Sequence, residues 1–330
     1  MPSAETLLTI GFSTHHLEVI PFMREEMERH DVTVLEEPPT PGFAEMIEDH
    51  IPVEEYLLAV DSQFPLFDER MCRELQRLRK TGKAILQVEP YLETLLEIHE
   101  LFASGKTPED VLAVSKLREV YQKEREATGL LIAFYAASRG DAFRGVVEAV
   151  KRFARADAER LLLRERLRAA AIAPLAGHGK SLFIEAGYIH YPLFTFLRRF
   201  LDGAGRIRIR HLLEPAVRRH GGKRRNLGPG DVLTLHYSIH GRIDEPLGDL
   251  FAARSLVYIR LIDKRELLPG DEPTPHCLDE ARVNRVVDRL TFSDCQRLYR
   301  AMTREPAQDP WVVVSRELGL KREAASSPLP

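Results

Sequence analysis

Short apolar runs alternate along the chain with longer stretches in which apolar residues recur every three or four positions, the signatures of buried strands and amphipathic helices. Residues 6–12 read as a buried strand. Leu17, Ile20, Met23 and Met27 mark one face of a helix over 16–30, with Arg24, Glu25, Glu26 and Glu28 outside it. Asp31 leads into a second strand, 32–35. Such a strand–helix–strand unit favours a parallel sheet with a right-handed crossover. The pattern over 42–80 is helical, broken at Pro52 and Pro65, and Gly82 ends it before a third strand at 84–88. Helices follow over 91–104, 108–137 and 142–173, then a strand at 181–186, a helix at 191–201 and a strand at 207–210.

Beyond this point the pattern shifts. Residues 216–230 are basic and glycine-rich and read as a connection. Val232, Leu233, Leu235, Tyr237 and Ile239 alternate in the manner of an extended strand over 231–240. Residues 247–267 and 279–319 read as helical, and Ala324–Pro330 as a fraying end. The fold class predicted is α/β: a mostly parallel central sheet flanked by long helices, with a smaller, mainly helical C-terminal part. The division predicted is an α/β domain at 1–215 and a C-terminal extension at 216–330.

Composition adds exclusions. With 330 residues, 44% apolar, the chain can bury a large core. A net charge of −3 is not the basic excess of a dedicated nucleic-acid binder. Cys72, Cys277 and Cys295 are too dispersed for a disulfide framework or a zinc-thiolate centre. No basic segment precedes the first apolar run, and no apolar run is long enough to span a bilayer, so a cytoplasmic protein without a membrane partner is expected.

Candidate chemistry gathers at the strand ends. Glu37-Pro38, Glu89-Pro90 and Glu214-Pro215 each close a run with a carboxylate and a proline, which cannot donate to a central ladder. The first strand runs into His15 and His16, the fourth into Glu185 and His190, the fifth into His211. In a parallel sheet these residues share the carboxyl rim, where ligands bind. Imidazoles and carboxylates there bind a divalent metal or act as acid and base. The plainer reading makes each a strand cap bonded to loop amides or arginines. Arg139, Arg160, Arg164, Arg166 and Arg168 are the available partners, most of them suited to a solvated helix face. Gly177–Ser181 imitates a phosphate loop, but Gly-Lys-Ser precedes a strand there instead of opening a helix, so it reads as a turn. Ser13 and Thr14 are nucleophile candidates, more commonly helix caps. The basic run 218–225 could touch phosphates or nucleic acid, but in a chain that is not otherwise basic it reads first as a short solvated loop.

The order of these motifs resembles the superfamily joining erythromycin esterases, TraB proteins, Tiki proteases and ChaN-like haem-binding proteins. The resemblance rests on Val34-Leu35-Glu36, an arginine helix with Arg164 or Arg166, and Gly187-Tyr188-Ile189-His190, over about residues 5–215. The first motif departs: His15 and His16 follow Gly11 at greater spacing than the family's Gly-x-x-His. The resemblance implies a hydrolase of ester or peptide bonds whose cleft holds His15 or His16, Glu36, Glu89, His190 and Arg164 or Arg166. A small-molecule or peptide would be its substrate. A divalent metal, if used, would sit on His16, Glu36 and His190. The alternative implied is a non-enzymatic protein binding haem or another small molecule in the same cleft.

Overall fold

A computed structural model of the chain describes residues 6–60, 62–140, 142–203 and 205–319. Five strands form one all-parallel sheet: β1 (Thr6–Ser13), β2 (Val32–Leu35), β3 (Ala84–Gln87), β4 (Leu182–Gly187) and β5 (Gly205–His211), in the order β3-β2-β4-β1-β5. The first half of the chain adds helices α1 (Ile20–Arg29), α2 (Phe43–Ile47), α3 (Val53–Leu58), α4 (Pro65–Lys80), α5 (Pro90–Ala103), α6 (Pro108–Ala113), α7 (Ser115–Ala137) and α8 (Phe143–Ile172). Then come α9 (Pro192–Leu201), α10 (Glu214–Arg219), α11 (Pro229–His240), α12 (Glu245–Leu261), α13 (Pro275–Val287), α14 (Phe292–Arg304) and α15 (Pro310–Leu318). The α/β class read from the sequence is the class observed. Residues 324–330 lie outside the described residues.

The chain divides into two compact units. The first takes residues up to Arg125, Glu159–Arg225 and Arg265–Leu278; the second takes Glu126–Ala158, Asn226–Lys264 and Asp279 onward. Residues 126–158 thus group with later segments and not with the sheet, unlike a single cut at 215. The second unit is helical around Val146, Val150, Leu233, Tyr237, Leu256, Val257, Val283, Leu298 and Val313. Within it, buried Lys151 faces Glu148, Glu245 and Asp249, so its charge is compensated.

Two stretches differ from the sequence reading. Residues 231–240 are helix α11, not a strand. Pro229 sits in the first turn, the Asp231 carboxylate accepts from the Gly228 N–H at 3.2 Å, and Leu233 and Tyr237, four apart, are both buried while Ile239 is exposed. The apparent alternation was a helical face sampled at two positions. The connection over 216–230 opens with helix α10, started by Glu214-Pro215.

In the first unit, one apolar core holds Met23 and Met27 of α1, Met46 of α2, Leu75 and Leu78 of α4, and Leu35 and Phe183 of the sheet. A second joins Tyr91 and Ile98 of α5 to Leu117 and Val120 of α7 and Leu163 of α8. Strand order locates the functional rim. The chain leaves β1 toward β2 but leaves β4 toward β5, in opposite directions along the sheet. Right-handed crossovers then lie on opposite faces, and the carboxyl ends of neighbouring β1 and β4 open between them.

Gly11 holds this junction close. A Cβ there would stand 2.5 Å from Cε2 of Phe183 and 3.3 Å from Cδ1 of Leu212. Gly11→Ala should therefore destabilise the protein by about 1–3 kcal/mol, the usual cost of overpacking. Gly11→Ala combined with Phe183→Leu should regain part of that loss, as read by denaturant unfolding.

Candidate functional site

Beneath the rim lies a buried ionic network. Glu36, one residue past β2, is 8% exposed. Its Oε1 accepts from Arg164 at 2.9 Å and lies 2.7 Å from Nε2 of His190; its Oε2 accepts from the Gly187 N–H at 2.7 Å. Burial alone would raise the Glu36 carboxyl, but His190, Arg164 and Arg168 hold it well below the usual carboxylate range. Nδ1 of His190 meets Glu165. Burial opposes charging of this imidazole, yet Glu36 and Glu165 raise it to about 9, so it is a fixed imidazolium at neutral pH. Gly187 is required by the same contact: a Cβ there would stand 3.1 Å from Cδ2 of His190.

Arg168 is fully buried and ties this layer to the backbone. It donates to the Val88 carbonyl at 3.0 Å and to the Glu185 carbonyl at 2.7 Å, and its Nη1 lies 3.6 Å from Glu36. Those carbonyls belong to the segments on either side of β2. Glu89 is also buried, ion-paired with Arg164 at 3.1 Å, and its carboxyl is raised by burial against the pull of Arg164 and Arg168.

Toward solvent the rim is more open, with His15 and Glu37 both exposed. His15 is exposed, stacks on Phe67 with ring centroids 5.4 Å apart, and holds Nε2 3.4 Å from the buried Glu185 carboxylate. The other Glu185 oxygen accepts from the Glu36 N–H at 3.4 Å. The protein around the ring works against protonation of His15, but Glu185, Glu36 and Glu37 raise it to about 9. Glu37 reaches solvent, yet surrounding protein and the Glu185 carboxylate push its carboxyl up to about 7. The Glu37 carboxylate accepts from the Gln87 side-chain amide at 3.0 Å. Ser13 Oγ and Thr14 Oγ1 are buried at the end of β1 without a hydrogen-bond partner; neither caps the following helical turn.

The sequence-based candidates therefore separate. Glu36, Glu89, Arg164 and His190 come together in the network, and His15 stands at the open rim. His16 turns away to stack on His276 at 3.6 Å, beside Phe64, and burial holds it low, at about 3. Arg166 is exposed and pairs with Glu119, so Arg164 is the residue of this helix that reaches Glu36. The trio His16, Glu36 and His190 does not suit a divalent cation. His190 engages a carboxylate through each ring nitrogen and is held protonated, and Glu36 is saturated by donors. Among the described residues, no three His, Cys, Asp or Glu side chains are grouped to hold a metal.

Sequence reasoning placed Glu37 at the rim and Arg168 among the available partners without singling out either, and read Glu165 as part of a solvated helix face. A signal for the last two exists: Leu161, Glu165, Arg168 and Ile172 recur at helical spacing and are all buried, so two charged residues occupy a core stripe.

The fold and site define an α/β protein with a parallel sheet whose carboxyl rim carries a buried Glu–His–Arg network and an exposed histidine held against a carboxylate. The chain is 30% identical over 293 residues to an uncharacterized protein of Archaeoglobus fulgidus, a match covering 88% of this chain and 97% of that one. It belongs to the same family as that archaeal protein. No family model matches the chain, and no solved structure matches it. Among the described residues, no helix is long and apolar enough to cross a membrane.

Two outcomes test the network. Arg168→Met should destabilise the protein by about 3–5 kcal/mol, the usual cost of leaving buried carboxylates without their cation. His190 has its pKa raised from 6.5, so its charge contributes fully below pH 6.5 and is lost as pH rises through about 9. The stability gap between wild type and His190→Gln should be widest below pH 6.5 and shrink toward pH 9, as read by chemical denaturation.

Proposed function

We propose that this protein is a hydrolase acting on an ester or peptide bond at the carboxyl rim of β1 and β4. The observation that carries the reading is accessible His15 held 3.4 Å from buried Glu185, at a rim that also carries exposed Glu37 with its carboxyl pushed up to about 7. In this reading ionised Glu37 takes a proton from water as the water oxygen bonds to the carbonyl carbon. Imidazolium His15 then protonates the leaving oxygen or nitrogen as its bond to that carbon breaks. Glu36, His190, Arg164 and Arg168 act as positioning residues. They fix the strand ends and carry no proton in the reaction.

The motif order shared with the erythromycin esterase, TraB, Tiki and ChaN-like superfamily supports hydrolysis over other acid–base chemistry. Small-molecule esters and short peptides are the substrates this reading favours.

The test is a panel of nitrophenyl esters and short peptides. Activity should need Glu37 ionised and His15 protonated, so kcat/KM should rise through about pH 7 and fall through about pH 9. Glu37→Gln and His15→Asn should each lower it about 100-fold or more without loss of fold. Activity unchanged in both variants would overturn the assignment.

A further inference from the structure

A second constellation at the same rim takes no part in the acid–base chemistry. His211 ends β5 and pairs in register with Phe12 of β1; their rings stack with centroids 5.9 Å apart. The other side of this aromatic group is Tyr191, stacked on Phe12 at 5.7 Å, and Tyr188 lies 6.2 Å from His211. Over the Tyr191 ring, at 5.3 Å from its centroid, sits the guanidinium of Arg225.

Arg225 is unlike the other arginines of the rim. Arg164 and Arg168 face Glu36 and Glu89, and Arg218 pairs with Glu214. Arg225 is half-buried, meets no carboxylate, and its Nη1 is shut off from solvent without an acceptor. Nδ1 of His211 is likewise buried and without a partner. Burial first, and then Arg225 and Arg224, disfavour a further proton on His211 against the pull of Glu214. A guanidinium nitrogen that is shut off from water without an acceptor is costly to hold in a folded chain. Stacking on Tyr191 returns only part of that cost. The deficit is removed by an anion that accepts from Arg225 and from His211 at once.

We infer that Arg225 and His211, walled by Phe12, Tyr188 and Tyr191, form an oxyanion-binding subsite for a phosphoryl or carboxylate group. The planar fork of Arg225 suits two oxygens of either group, which a lysine ammonium does not match. The subsite stands independently of hydrolysis: it requires only that the folded protein bind an anion.

The experiment is calorimetric titration of the full chain with inorganic phosphate, phenyl phosphate and benzoate, alongside thermal unfolding in each. At least one probe should bind with one-to-one stoichiometry and raise the melting temperature. A preference for the phosphates assigns a phosphoryl group and a preference for benzoate a carboxylate. Arg225→Met should weaken the preferred probe at least about tenfold, the scale of losing a charge-assisted pair of hydrogen bonds. Arg225→Lys keeps the charge and should fall between the two. It serves in place of Arg225→Met if that variant does not fold. Arg219→Ala, an exposed change in the same basic run, should leave affinity unaltered. Failure of all three probes to bind the folded protein, or wild-type affinity in both Arg225 variants, would overturn the subsite. Neither result bears on ester or peptide cleavage.

Discussion

The carboxyl rim depends on two arginines of one helix, Arg168 fully buried and Arg164 largely so. Arg164 and Arg168 stand four residues apart on α8 and reach Glu36 and Glu89 from one side. Neither carboxylate would remain ionised in that interior alone, and neither cation would be tolerated without them. Arg168 also donates to backbone carbonyls flanking β2, so the charge network and the strand termini are a single construction. A shift of α8 would break ion pairs and expose carbonyls in one step. This makes the rim stiff, and a stiff rim holds His15 against Glu185 in a repeatable geometry.

The network and the open rim divide labour between like residue types. His190 and His15 are both raised, but His190 is sealed between two carboxylates while His15 meets solvent. Glu36 and Glu37 are adjacent in sequence and displaced in opposite directions. The cause is their surroundings just past the end of β2: Glu36 lies among His190, Arg164 and Arg168, whereas Glu37 is pushed up by surrounding protein and the Glu185 carboxylate. Environment, not residue identity, separates the fixed charges from the titrating ones.

Much of this was legible in the sequence. The five strands and the long helices follow from apolar periodicity, and the strand-closing carboxylates point to one rim because the strands are parallel. What was not legible has physical reasons. The alternation over 231–240 is compatible with two periods, and only the Gly228-Pro229 start with Asp231 identifies the helix. His15 and His16 are indistinguishable by type, and the choice is made by His276, hundreds of positions away, which captures His16 by stacking. Arg166 and Arg168 differ by two positions on α8, enough to put one in solvent and the other at the centre of the sheet's rim. Spacing alone identifies the helix but not its rotation.

The strand order has a consequence for how the chain is made. β1 is the first of the five strands, yet its two neighbours are β4 and β5, which end at Gly187 and His211. While the intervening helices emerge, β1 has both hydrogen-bonding edges vacant and apolar residues on both faces. Such a strand invites pairing with another chain. A strand interior to the finished sheet is thus exposed on both edges during synthesis, and fast production of this protein would place its greatest demand on chaperones at that interval.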